Sequence, residues 1–156
     1  LLSVIDQPFT GERFMGVAGE AAWLDRDGVR TPLRTRPCER LDDAIFSTTD
    51  PGLFDAGERD AAMGVANAAK IRRYGLDAYA YAALALGGVD LVVESGLKPW
   101  DAAALIPVVT GAGGVVTNWR GEPAHGGGQL RAAATPALHA EALARLQRAA
   151  TGAPAR

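Results

Sequence analysis

Val92-Val93-Glu94-Ser95-Gly96-Leu97-Lys98-Pro99-Trp100-Asp101-Ala102-Ala103-Ala104-Leu105, closed by Gly111-Ala112-Gly113-Gly114, sets two carboxylates seven residues apart across a strand-to-helix junction. An apolar strand ends near Glu94, Gly96 permits a sharp turn, and Pro99 pre-sets a helical φ just ahead of Asp101. Asp101 then falls in the first helical turn, at the positive end of the helix dipole, where it stays ionised. There its oxygens can cap the helix or be offered to a hard cation such as Mg²⁺.

Working outward, the chain alternates regularly. Strands are predicted at Ile71–Tyr74, Val89–Glu94 and Val115–Trp119, and helices at Asp77–Leu86 and Pro99–Gly111, which is the rhythm of an α/β layer. Pro107 cannot donate to the Ala103 carbonyl, so a kink is expected in the second of these helices. Upstream, Ala44–Thr48 reads as a strand and Gly57–Lys70 as a helix with Ala61, Val65 and Ala68 or Ala69 inward. Leu2–Ile5, Arg13–Val17 and Ala22–Leu24 read as antiparallel strands, the last leading to a hairpin at Asp25–Gly28. Residues 30–43, with Pro32, Pro37 and interleaved charges, read as an exposed connection. Downstream, Leu130–Ala133 is a last strand. Thr135-Pro136 supplies an N-cap and a first-turn proline for a helix carrying Leu138, Ala142, Leu143, Leu146 and Ala150. The expected domain organisation is one α/β unit over 1–150 and a frayed tail at 151–156.

The stretch from Ile71 to Gly114, with Gly75 and Ala78, Gly87 and Asp90, Trp100-Asp101-Ala102-Ala103-Ala104 and Ala112-Gly113-Gly114, resembles the C-terminal half of the inositol monophosphatase-like family. Val4-Ile5-Asp6-Gln7-Pro8, Asp77-Ala78-Tyr79-Ala80-Tyr81 and Leu97-Lys98-Pro99-Trp100-Asp101 are similar to the histidinol-phosphatase branch of that family. The resemblance runs from Val4 to about Leu146 and is weakest at 25–43 and 121–130. It implies the C-terminal portion of a layered α-β-α-β-α sandwich, a mixed sheet flanked by helices. It also implies a Mg²⁺-dependent phosphomonoesterase acting on a small phosphorylated substrate, histidinol phosphate foremost, as a homodimer in full-length form. Inositol monophosphatase or adenosine bisphosphate nucleotidase activity is the alternative, as is a non-catalytic remnant of the fold.

By the same resemblance Asp101 matches a metal ligand, and Glu94 the position that contacts the leaving-group moiety. An amine and an imidazole there suit an anionic contact. Asp77 occupies the branch's acidic position, though Leu76 and Ala78 depart from the usual Gly and Cys, and an aspartate at a helix start also caps. The family's Glu-rich motif and D-P-[IL]-D-G-T motif are absent from this sequence. Asp50-Pro51-Gly52-Leu53 lacks the second Asp and reads as a turn. The chain is therefore expected to be a fragment of a longer phosphatase, inactive alone because one aspartate cannot supply the octahedral oxygen set Mg²⁺ requires.

The composition sets outer bounds. The 156 residues are 48% hydrophobic, enough for a real core. A net charge of −2 and pI near 5.7 give no basic footprint for nucleic acid. No stretch is apolar enough for a membrane span, so no membrane partner is expected. One cysteine, Cys38, excludes an intrachain disulfide, reads as a loop thiol and fits a cytoplasmic location. His125 and His139 read as surface histidines and Trp100 as a packing residue that orients Asp101. Arg72 and Arg73 are candidates for phosphate contact or a solvated pair, with neither assigned. The glycines at 111–114 follow a helix and so do not form a phosphate loop.

Overall fold

The computed structural model describes residues 1–150; the tail 151–156 and the side chains of Ala149 and Ala150 lie outside the described residues. The strands fall into two sheets. The first is antiparallel, in the order β1 (Leu2–Gln7), β2 (Glu12–Val17), β3 (Ala22–Arg26) and β4 (Val29–Pro32). Its last hairpin turns at Asp27 and Gly28, both at positive φ (52° and 74°), the geometry an Asp-Gly pair favours between twisted strands. Ile5, Phe14 and Ala22 alternate inward, and Phe14 is fully buried. The other face carries Leu2 opposite Val17, and Val4, Met15, Trp23 and Pro32 in register across the strands.

The second sheet runs β6–β5–β7–β9–β8. β5 (Ile45–Thr48) pairs in parallel with β6 (Ile71–Tyr74) and β7 (Leu91–Leu97). β9 (Gly128–Ala133) runs antiparallel to both β7 and β8 (Val115–Thr117). On one face, Leu91, Val93 and Ala133 pack with α1 (Ala56–Ala68) and α4 (Pro136–Ala150). On the other, Val92, Leu130 and Ala132 pack with α2 (Tyr79–Ala85) and α3 (Pro99–Gly111), which also meet Ile5, Phe14 and Ala22 of the first sheet. The layers therefore stack as helices, sheet, helices, sheet, four of the five layers expected.

The helices start where the local chemistry dictates. Asp55 and Glu58 form a reciprocal capping box on α1. At α4, Thr135 Oγ1 accepts from the Leu138 N–H (3.2 Å) and donates to the Cys38 carbonyl (2.6 Å). α3 runs through Pro107 as one helix and lies so close to the first sheet that a Cβ on Gly16 would fall 2.5 Å from the Pro107 carbonyl carbon. A Cβ on Gly111 would likewise be 2.8 Å from the Ala22 nitrogen.

The segment 30–43 is an exposed connection along most of its length, all its charged residues included, but its start belongs to β4 and Leu33, Cys38 and Leu41 pin it into the two cores. Arg36 anchors it by donating through Nε and Nη2 to Asp90, a carboxylate with no exposure that also accepts the Ile45 N–H (2.7 Å). The apolar residues of this segment are too irregularly spaced to show a helical or strand period. Among the described residues no helix is long and apolar enough to cross a membrane.

Candidate active site

In the second sheet the chain passes from β5 to β6 on one side and then crosses back to β7 on the other. Ligands of open α/β sheets gather at the carboxyl ends of strands flanking such a reversal. Thr48 and Thr49 end β5, Gly75–Ala78 follow β6, and Glu94 sits in the last turn of the buried part of β7.

Glu94 is only 4% exposed. Its carboxylate accepts from the Thr49 N–H (2.7 Å), Thr49 Oγ1 (2.9 Å) and Thr48 Oγ1 (3.2 Å). Burial raises its pKa, the threonine bonds pull it back, and the Asp77 charge adds to the rise. The Tyr81 phenol is fully buried, without a hydrogen-bond partner among the described residues. Burial first and then the Glu94 charge hold it well above the ordinary tyrosine range. Next along the strand, Ser95 Oγ donates to Glu58 (2.6 Å), which also accepts from Gln129 Nε2 (2.9 Å).

Asp77 does not cap a helix. It is exposed, lies two residues before α2 at a left-handed φ of 46°, and α2 has no side-chain cap. Aspartate tolerates that conformation better than most residues, and its charge is the smallest of the influences on Glu94. Asp101 is exposed at the third position of α3, where Oδ2 accepts the Lys98 N–H (2.7 Å) and, among the described residues, the other oxygen makes no hydrogen bond. Lys98 thus helps to set the turn. The junction is further fixed by Gly96 at φ 75° and by Gly127, whose added Cβ would fall 2.5 Å from the Leu97 carbonyl.

Glu94 and Asp77 lie at the same end of the sheet, near the carboxyl ends of β7 and β6 with β5 between them, while Asp101 lies in the first turn of the helix that follows. Among the described residues no three His, Cys, Asp or Glu side chains gather as a metal-binding group. This donor set therefore does not by itself fit a Mg²⁺ centre; Asp101 can supply one oxygen to such a centre and no more.

Two other expectations change, those for Trp100 and His139. Trp100 is 74% exposed, so it does not act by packing. His139 is half-buried in a bonded cluster: Arg131 donates to it, Thr117 Oγ1 lies 2.9 Å from its Nε2, and burial with the Arg131 charge lowers its pKa to about 4. Arg72 bonds to Asn67 and Arg73 to the Arg72 carbonyl, both on the exposed edge. Thr48, Thr49, Glu58 and Gln129 have no local sequence signal, since each meets its partner across long stretches of chain.

Residues 1–151 match the inositol monophosphatase family. The chain belongs to that family. The bifunctional phosphatase IMPL2 of Arabidopsis thaliana is 45% identical over 122 residues, covering 78% of this chain and 34% of that protein. A histidinol-phosphatase of Mycobacterium tuberculosis is 32% identical, covering 93% of the chain and 56% of that protein. Among solved structures, an inositol monophosphatase from Zymomonas mobilis superimposes with a TM-score of 0.87 at 36% identity, over 94% of this chain and 57% of that one. The chain thus spans between a third and just over half of these inositol monophosphatase-family proteins.

Proposed function

We propose that the chain is the substrate-facing portion of a Mg²⁺-dependent phosphomonoesterase whose preferred substrate is histidinol phosphate. The observation that carries this is the Glu94–Asp77 pair. Two carboxylates at the strand ends, one desolvated and held in place by threonines, offer a negative cradle with no cation of its own. A ligand bearing an ammonium or imidazolium group completes it with charge-assisted hydrogen bonds. The likeness to a histidinol-phosphatase supports the same assignment.

In this reading Asp101 gives its free oxygen to a metal whose other ligands come from outside the chain, and the chain alone does not turn over substrate. We place it in the cytoplasm, as part of a homodimer, with neither nucleic acid nor membrane as partner. A second reading, a sugar-alcohol phosphate such as inositol monophosphate, is favoured by the Zymomonas mobilis likeness. A carboxylate accepts hydroxyl protons as readily as ammonium protons.

The two readings separate in a longer protein carrying this chain and active on phosphate esters. Glu94→Gln there lowers kcat/KM for histidinol phosphate about 10- to 100-fold more than for glycerol phosphate, the equivalent of one hydrogen bond to a charged group. An equal fall for both esters removes Glu94 from recognition of a cation.

A further inference from the structure

The turn that presents Asp77 is gripped from both sides by groups outside it. On one side the Gly75 N–H donates to the Thr49 carbonyl (2.9 Å), and Thr49 is the residue that holds Glu94. On the other, Tyr79 follows Asp77 by two residues and reaches across to the first sheet. Its Oη donates to Glu12 (2.8 Å), and its ring stands edge-on to Phe14, centroids 5.9 Å apart at 82°.

Glu12 is built to receive it. The side chain is 9% exposed, accepts from Thr10 Oγ1 (2.6 Å) and lies 3.6 Å from Arg26 Nη1. The Thr10 and Tyr79 bonds, with Arg26, lower its pKa, so it is an ionised acceptor at neutral pH. Asp77, by contrast, has only its backbone in the local bonding, the Ala80 N–H donating to its carbonyl (3.1 Å). A left-handed aspartate costs about 1 kcal/mol or more and persists only where its surroundings over-determine it. Here the surroundings are Thr49 on one side and the Tyr79–Glu12 contact on the other.

We infer that Glu12, acting through Tyr79, is a positioning residue that locks the 75–79 turn so that the Asp77 carboxylate faces Glu94 and the two acids act as one cradle. This rests on the reading that the pair receives a cationic group. It assigns to the first sheet a part in specificity. Glu12 touches no ligand, yet it ties the geometry of the acid pair to the register of β2.

The test uses the 156-residue chain and the titration of Glu94 followed by carboxyl ¹³C resonances. The groups facing Glu94 are Thr48 and Thr49 from β5, Asp77 from the turn and Tyr81 from α2. Tyr79→Phe removes one hydroxyl and no carboxylate. If the lock exists, Asp77 swings toward solvent and the Glu94 midpoint falls by the same amount as in Asp77→Asn. The double variant falls no further. Glu12→Ala, a second way to release Tyr79, gives the same shift. A Glu94 midpoint unchanged in Tyr79→Phe and Glu12→Ala, or lowered equally with and without Asp77, overturns the inference. Adding L-histidinol to the wild-type chain separates this from the substrate reading. Failure of histidinol to move the Glu94 and Asp77 resonances rejects the cationic ligand, while histidinol binding that Tyr79→Phe leaves untouched rejects the lock.

Discussion

Replacing Arg131 by leucine stabilises the chain. Arg131 lies in β9 with no exposure, facing the α1/α4 layer, and among the described residues no carboxylate pairs with it. Nη2 donates to Thr117 Oγ1 (2.8 Å) and to His139, while Nε and Nη1 are buried without a partner. Burial lowers its pKa to about 10. The two bonds made contribute about 1 kcal/mol each, and the two orphaned donors cost roughly 1–3 kcal/mol each. Leucine keeps an apolar volume in place of the arginine stem, and the Thr117–His139 contact at 2.9 Å survives. The balance is a gain of about 2 kcal/mol, within the range seen when buried ions yield to packed apolar side chains. For a chain of this size that raises Tm by roughly 4–8 °C. Urea unfolding followed by tryptophan fluorescence measures it. The same substitution moves His139 partway back toward its ordinary pKa, since burial, the larger cause of its depression, remains. The wild-type His139 is neutral when folded and takes up a proton on unfolding. Its contribution to stability is therefore full above pH about 6.5 and lost as pH falls toward 4. A loss of more than about 1 kcal/mol in Arg131→Leu would refute the reasoning, because it would mean the guanidinium is satisfied by a partner this balance omits.

Other outcomes follow from the same geometry. Asp101→Asn changes stability by less than about 0.5 kcal/mol, since the asparagine oxygen still accepts the Lys98 N–H; calorimetry showing a larger loss would make capping its main task. The wild-type chain takes up Mg²⁺ only above millimolar concentration by isothermal titration, and tighter saturable binding would contradict a single-carboxylate site. Gly16→Ala forces a Cβ into the backbone of α3 and lowers stability by about 1–3 kcal/mol or more; a neutral result in urea unfolding would show that α3 moves freely on the sheet. The isolated chain releases no phosphate from histidinol phosphate with Mg²⁺ and does so when the N-terminal portion of a family member is co-expressed, whereas turnover by the chain alone would place its metals elsewhere.

The elements easiest to read in the sequence are those whose signals are local. Pro99 and Lys98 fix the start of α3, Thr135-Pro136 that of α4, and Asp27-Gly28 the last hairpin of the first sheet, each within a few residues of the feature it determines. The burial of Leu33, Cys38 and Leu41 within an otherwise exposed connection is not legible locally, because Arg36 anchors that connection to Asp90, which no window around it contains. His139 and Arg131 are only eight residues apart, but they stand on α4 and β9, and the burial that does most to lower the His139 pKa comes from packing that spacing alone does not reveal. Asp77 shows a subtler limit. Leu76-Asp77-Ala78 carries the composition of a helix cap, and only the hold of Tyr79 on Glu12 and of Gly75 on Thr49 turns it into a left-handed presenter of charge.

The two carboxylates that frame the strand-to-helix junction are sorted by water. Glu94 has surrendered its hydration to β5, and three donors from Thr48 and Thr49 replace it only in part, so its charge is costly until something positive arrives. Asp101 keeps its hydration, one oxygen on a backbone N–H and the other open, so its charge costs nothing while it waits. In the proposed reading, such a site spends folding stability on the group that discriminates and none on the group offered to a metal. On that proposal, Glu94 discriminates from a buried position bonded to Thr48 and Thr49 of the second sheet, while Asp101 stands exposed, where further metal ligands would have to be brought to it.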